Sequence, residues 1–135
     1  MVKNLLEKDI QARIGEQKYY VEVYWRNGTL IMDEPRAIDG KDLGPDPYTT
    51  LLASLAGCTL STLRMYIHRK GWDLPEIKVS LNMQQTLEPL HTIIRRNIEF
   101  PGLTDATIKE RLLTVATKCP VSKILENKIT INTTV

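Results

Sequence analysis

Gly44-Pro-Asp-Pro-Tyr-Thr-Thr-Leu-Leu-Ala-Ser-Leu-Ala-Gly-Cys-Thr-Leu-Ser-Thr-Leu-Arg-Met-Tyr-Ile-His-Arg-Lys-Gly71 is the stretch that decides the fold. Between Tyr48 and Lys70 the only Gly or Pro is Gly57. Leu51, Leu52, Leu55, Ala56, Thr59, Leu63 and Ile67 recur at spacings of three and four, the period of an α-helix. The first half is apolar on nearly every side, which predicts a central helix covered all round. Arg64, His68, Arg69 and Lys70 suit the negative end of the helix dipole, and Gly71 is a natural C-terminal stop. A mid-helix glycine costs about 1 kcal/mol relative to alanine, so Gly57 predicts a close approach to the backbone.

Upstream the period is two. Gln11 to Ile14 and Tyr19 to Trp25 flank the turn Gly15-Glu16-Gln17-Lys18, and Asn27-Gly28 is a hairpin signal leading into a strand over Thr29 to Met32. A loop with Pro35, Gly40, Gly44, Pro45 and Pro47 follows. Downstream of the helix, Ile77, Val79, Leu81 and Met83 alternate with polar residues, and Thr92 to Phe100 reads as a second, less regular strand. Thr104 is placed to cap a helix from Asp105 to about Lys118, with Ile108, Leu112, Val115 and Cys119 on one stripe. Pro120 can open a short helix over 120–126. Lys128 to Val135 reads as a closing strand. Strands and helices in this order predict an α+β fold with mainly antiparallel sheet.

The chain has 135 residues, 42% hydrophobic and 25% charged, with a net charge of +2. That is one domain's worth, so residues 1–135 read as a single domain able to bury its own core. The charge is too mild for a nucleic-acid surface. Tyr19, Tyr20, Tyr24 and Trp25 fall in one strand and read as ordinary strand residues rather than a base-stacking platform. No signal-peptide pattern opens the chain and no apolar run reads as a membrane span, so the expected location is the cytoplasm. P-loop, dinucleotide and serine-hydrolase motifs are missing from the sequence, and no cofactor is expected.

Chemistry rests on two cysteines, Cys58 and Cys119, sixty-one positions apart. They form no CxxC pair, and His68 and His91 are not at metal-ligand spacing from them, so no metal site is expected. Each could be a small buried hydrophobe, or each could be reactive. Cys119 precedes a short helix, where backbone N–H groups favour a thiolate. On position alone it is the more acidic thiol.

The quoted stretch, continued to Trp72, resembles the central-helix signature of the OsmC/Ohr family. Cys119-Pro-Val-Ser-Lys-Ile-Leu-Glu-Asn127 resembles its second signature, and Phe100-Pro-Gly-Leu-Thr104 sits where the family carries a similar turn. The resemblance covers roughly residues 31 to 135. It implies an OsmC-like homodimer, intertwined around long central helices. It implies a peroxiredoxin-like, thiol-dependent antioxidant that reduces organic hydroperoxides at the expense of a reducing thiol donor. On the family pattern Cys58 attacks the peroxide and Cys119 resolves the sulfenic acid as a disulfide. This assignment reverses the acidity ranking from helix position. Arg36 lies where the family's catalytic arginine is expected.

One position departs from the pattern. Peroxidase members carry a glutamate where this chain has Tyr48, and Glu34, Asp42 and Asp46 are the carboxylates that could stand in. The Gly-Pro-x-Pro-Tyr form is closer to the OsmC-like branch than to the established peroxidases. The alternative readings are a redox-responsive or small-apolar-ligand-binding dimer without peroxide turnover, and a scaffold in which both cysteines only pack.

Overall fold

The computed structural model describes residues 2–135 and forms two compact units, residues up to Leu51 and residues from Leu52 onward. The first holds β1 (Gln11–Ile14), β2 (Val21–Trp25) and β3 (Gly28–Met32) in one antiparallel sheet of order β1-β2-β3. Trp25 pairs with Gly28, so the tight turn is Arg26-Asn27. The hairpin signal at Asn27-Gly28 was therefore one residue late.

The loop after β3 is organised by a buried carboxylate that the sequence did not single out. Asp33 accepts backbone N–H bonds from Glu34 at 2.8 Å, Lys41 at 3.3 Å and Leu43 at 3.2 Å. Burial pushes its pKa up, and these bonds, with one from Tyr19, more than reverse that and hold it below the usual carboxylate value. Gly40 is needed here because a Cβ would collide with the Glu34 carbonyl oxygen.

α1 (Pro47–Lys70) begins at the end of the first unit and runs into the second. Thr49 N–H donates to Asp46 Oδ1 at 3.0 Å, which caps its first turn. Gly71 ends it at φ +68°, with Gly71 N–H donating to His68 O and Trp72 N–H to Ile67 O. Only one residue per turn is buried: Leu55, Thr59, Leu63 and Ile67. The other faces of α1 are not covered by the rest of this single chain, and Tyr48, Leu51 and Met65 are exposed on it. Nothing in the same chain lies within 4 Å of a Cβ built on Gly57. By length and composition alone α1 also passes for a membrane span, because an 18-residue window within it reaches a mean hydropathy of 1.2; the expectation that no apolar run is long enough is corrected to that extent.

The second unit adds β4 (Lys78–Leu87) and β5 (Leu90–Glu99), a ten-residue antiparallel ribbon, then α2 (Ala106–Ala116) and α3 (Pro120–Leu125). Asp105, rather than Thr104, caps α2 by accepting from Thr107 and Ile108 N–H. Leu63 and Ile67 of α1 pack with Leu74, Phe100 and with Leu112, Val115 and Ala116 of α2. Residues 128–135 form no strand; among the described residues no ladder pairs with them, and Ile129 and Ile131 stay exposed.

Leu112 is fully buried, so Leu112→Ala is expected to cost about 2–5 kcal/mol, measured by chemical denaturation. Asp33→Asn is expected to lower the melting temperature by a few degrees at neutral pH. The Asp33 pKa is depressed on folding, so its contribution is complete above the ordinary carboxylate value and fades as pH falls through the folded one. Melting curves at neutral and acidic pH should converge for the two proteins; a constant gap would refute this role.

Candidate thiol site

Cys58 sits in the middle of α1, one position before the buried Thr59, and is half-buried. Cys119 follows α2 and occupies the N-cap position of α3, where Pro120 supplies the first helical residue without an N–H to satisfy. Cys119 is fully buried. The two thiols are near enough for each to shift the other's titration, and they are not joined. Both lie in the 52–135 unit.

Their electrostatics differ. Burial pushes the Cys58 thiol up, the Cys119 sulfur adds to this by hydrogen bond and by charge, and Val121 N–H and the Thr62 hydroxyl only partly offset it. The net position is above the ordinary thiol value. Burial also pushes Cys119 up. The Cys58 thiol, the N–H and hydroxyl of Ser122 and the Val121 N–H together outweigh it and bring Cys119 below the ordinary value. The Cys119 side chain forms no cap hydrogen bond to α3. The ranking agrees with the helix-position argument: Cys119 is the more acidic partner.

A third residue completes the cluster. Arg96 Nη1 donates to Thr59 Oγ1 at 2.9 Å and to Ser122 Oγ at 2.8 Å. Thr59 and Ser122 are both buried, and Thr59 passes its own proton to Leu55 O at 2.7 Å. Beside this cluster opens a cavity of about 600 Å³ lined by Leu55, Ile94, Arg96, Ser122 and Leu125, with His91, Thr92 and Glu126 also reaching it. Sequence reasoning missed Arg96. The available signal was its place between Ile94 and Ile98 on the half-buried face of β5.

Arg36 is exposed on a 3-10 turn (Arg36–Ile38) of the first unit. Among the described residues no ion pair joins it to Glu34, Asp42 or Asp46. Asp46 is engaged with Thr49, whose side chain and N–H both lower its pKa. Tyr48 is exposed. No group of three or more His, Cys, Asp or Glu side chains that could hold a metal occurs among the described residues.

No curated protein gives a significant match to this sequence. Solved structures do share the fold. A Psychrobacter arcticus protein described as an osmotic stress induced and detoxification response protein superposes with a TM-score of 0.76 at 18% identity, over 91% of each chain. The organic hydroperoxide resistance protein OsmC of Legionella pneumophila gives 0.69 at 20% identity, again over 91% of each. The organic hydroperoxide resistance protein OhrB of Bacillus subtilis gives 0.65 at 18%, over 90% of this chain and 91% of that one. At these identities the likeness is one of fold. The family model of OsmC-like proteins matches residues 40–134, which include both cysteines and most of the chain. The chain belongs to the OsmC-like protein family.

Proposed function

We propose that the protein is a cytoplasmic, homodimeric thiol peroxidase that reduces organic hydroperoxides. The observation that carries this reading is a pair of neighbouring, unjoined thiols inside the segment that matches the family. Two solved relatives of the same fold are organic hydroperoxide resistance proteins, which supports the general role.

The difference between the two thiols suggests how a proton moves. Cys58 is the one a bulky substrate can approach, because Cys119 is wholly buried. Cys119 is the more acidic of the two, so its thiolate is the proposed base. Cys58 gives its proton to the Cys119 thiolate, and its sulfur attacks the terminal peroxide oxygen. The O–O bond breaks, Cys58 becomes a sulfenic acid, and the departing alkoxide takes the proton back from Cys119 and leaves as an alcohol. The Cys119 thiolate then attacks the Cys58 sulfur, and hydroxide leaves and takes up a solvent proton as water. One peroxide and two thiols give one alcohol, one water and one disulfide, which an external thiol donor reduces. Arg36 is the proposed peroxide-orienting cation.

A second reading, a small-apolar-ligand-binding protein, is favoured by Tyr48 at the glutamate position and by the cavity beside Arg96. Dithiol-driven consumption of cumene hydroperoxide, compared with hydrogen peroxide, decides between them. Turnover preferring the organic peroxide and lost in Cys58→Ser is expected. In Cys119→Ser a single equivalent should be consumed with a sulfenic acid trapped on Cys58. No consumption by the fully reduced protein would overturn the peroxidase reading.

A further inference from the structure

We propose that Arg96 is a positioning residue for the thiol pair: it fixes the Ser122 hydroxyl as a donor to Cys119 and ties the Cys58 turn of α1 to α3. The proposal deepens the two-thiol reading and rests on it for its catalytic meaning.

The argument is a count of hydrogens. One guanidinium nitrogen, Nη1, carries two N–H groups. One goes to Thr59 Oγ1 and the other to Ser122 Oγ. Each hydroxyl therefore accepts from the arginine and has one proton left to donate. Thr59 donates its proton to the Leu55 carbonyl. Ser122 is the third residue of α3, the helix whose N-cap is Cys119, and its hydroxyl is among the groups that favour the Cys119 thiolate. A serine hydroxyl is otherwise a free rotor; a charged donor on its lone pairs leaves the proton pointing away from the cation and toward the sulfur.

The cost of placing Arg96 here supports a role beyond packing. It interrupts the inward row Ile94, Arg96, Ile98 and stands opposite Leu81 of β4. A partly buried guanidinium without an ion pair is costly. Among the described residues Arg96 forms no ion pair, and the charged or titratable groups sharing its cavity are His91 and Glu126. Cys119 is faced by Cys58 from α1 and by Val121 and Ser122 from α3. Arg96 reaches it only through Ser122, so the residue positions rather than reacts.

The test uses the full chain carrying Cys58→Ser, whose single thiol is Cys119, and follows thiolate ultraviolet absorbance against pH. Arg96→Met is expected to raise the Cys119 midpoint by about one pH unit, a tenfold loss of thiolate at fixed pH below it. Arg96→Lys should recover at least half of that shift. Ser122→Ala should reproduce the rise, and Arg96→Met on the Ser122→Ala background should add nothing. A midpoint unmoved by Ser122→Ala overturns the proposal, as does an Arg96→Met shift equally large without the serine. If Arg96→Met does not fold, Ser122→Ala and Arg96→Lys decide on the same criteria. The titration involves no peroxide. Shifts as expected in a protein that consumes no hydroperoxide would defeat the peroxidase reading and leave the Arg96 relay standing; turnover without the shifts would do the reverse.

Discussion

Four side chains on one edge of α1, one per turn, are closed off from solvent, and the rest of the 52–135 unit is placed against that edge. Its lower half, Leu63 and Ile67, meets the apolar stripe of α2 and the turn at Phe100. Its upper half carries Thr59, a buried hydroxyl that an apolar core tolerates only with both its proton and its lone pairs engaged. That requirement calls in Arg96 from β5, and Arg96 in turn calls in Ser122 from α3. The thiols lie where these demands converge. Cys58 is the neighbour of Thr59 along α1, and Cys119 stands three residues before Ser122.

Much of the fold was legible because it follows from period. The 3.6-residue repeat placed α1 to within a residue, and alternation placed β1 and the ribbon of β4 and β5. The misses have physical reasons. Residues 128–135 alternate like a strand, but alternation describes one strand's faces and says nothing of a partner for its backbone. Thr104 and Asp105 are both good caps, and the choice between them depends on the angle at which the chain enters α2. Gly57 faces open space, and nothing in the structure requires it.

The site was half legible. Two cysteines in two separate signatures stand out in any reading. Arg96 does not, since Arg95-Arg96 looks like an exposed charged pair until the strand's faces are assigned; Arg95 is exposed and Arg96 turns inward. Ser122 and Thr59 are ordinary residues whose importance lies in a shared donor, Arg96, 26 and 37 positions away along the chain. Asp33 was equally silent, because a carboxylate that collects backbone N–H groups is recognised only from the loop it gathers.

The separation of the two cysteines along the chain has a mechanical side. A bond between Cys58 and Cys119 would close a covalent ring through the end of α1, the whole ribbon and α2. In the unfolded chain a ring of that size removes configurational freedom equivalent to about 4 kcal/mol, a sizeable fraction of a domain's total stability. The oxidised and reduced forms would then differ in how readily the chain comes apart, so durability would follow the redox state of its surroundings.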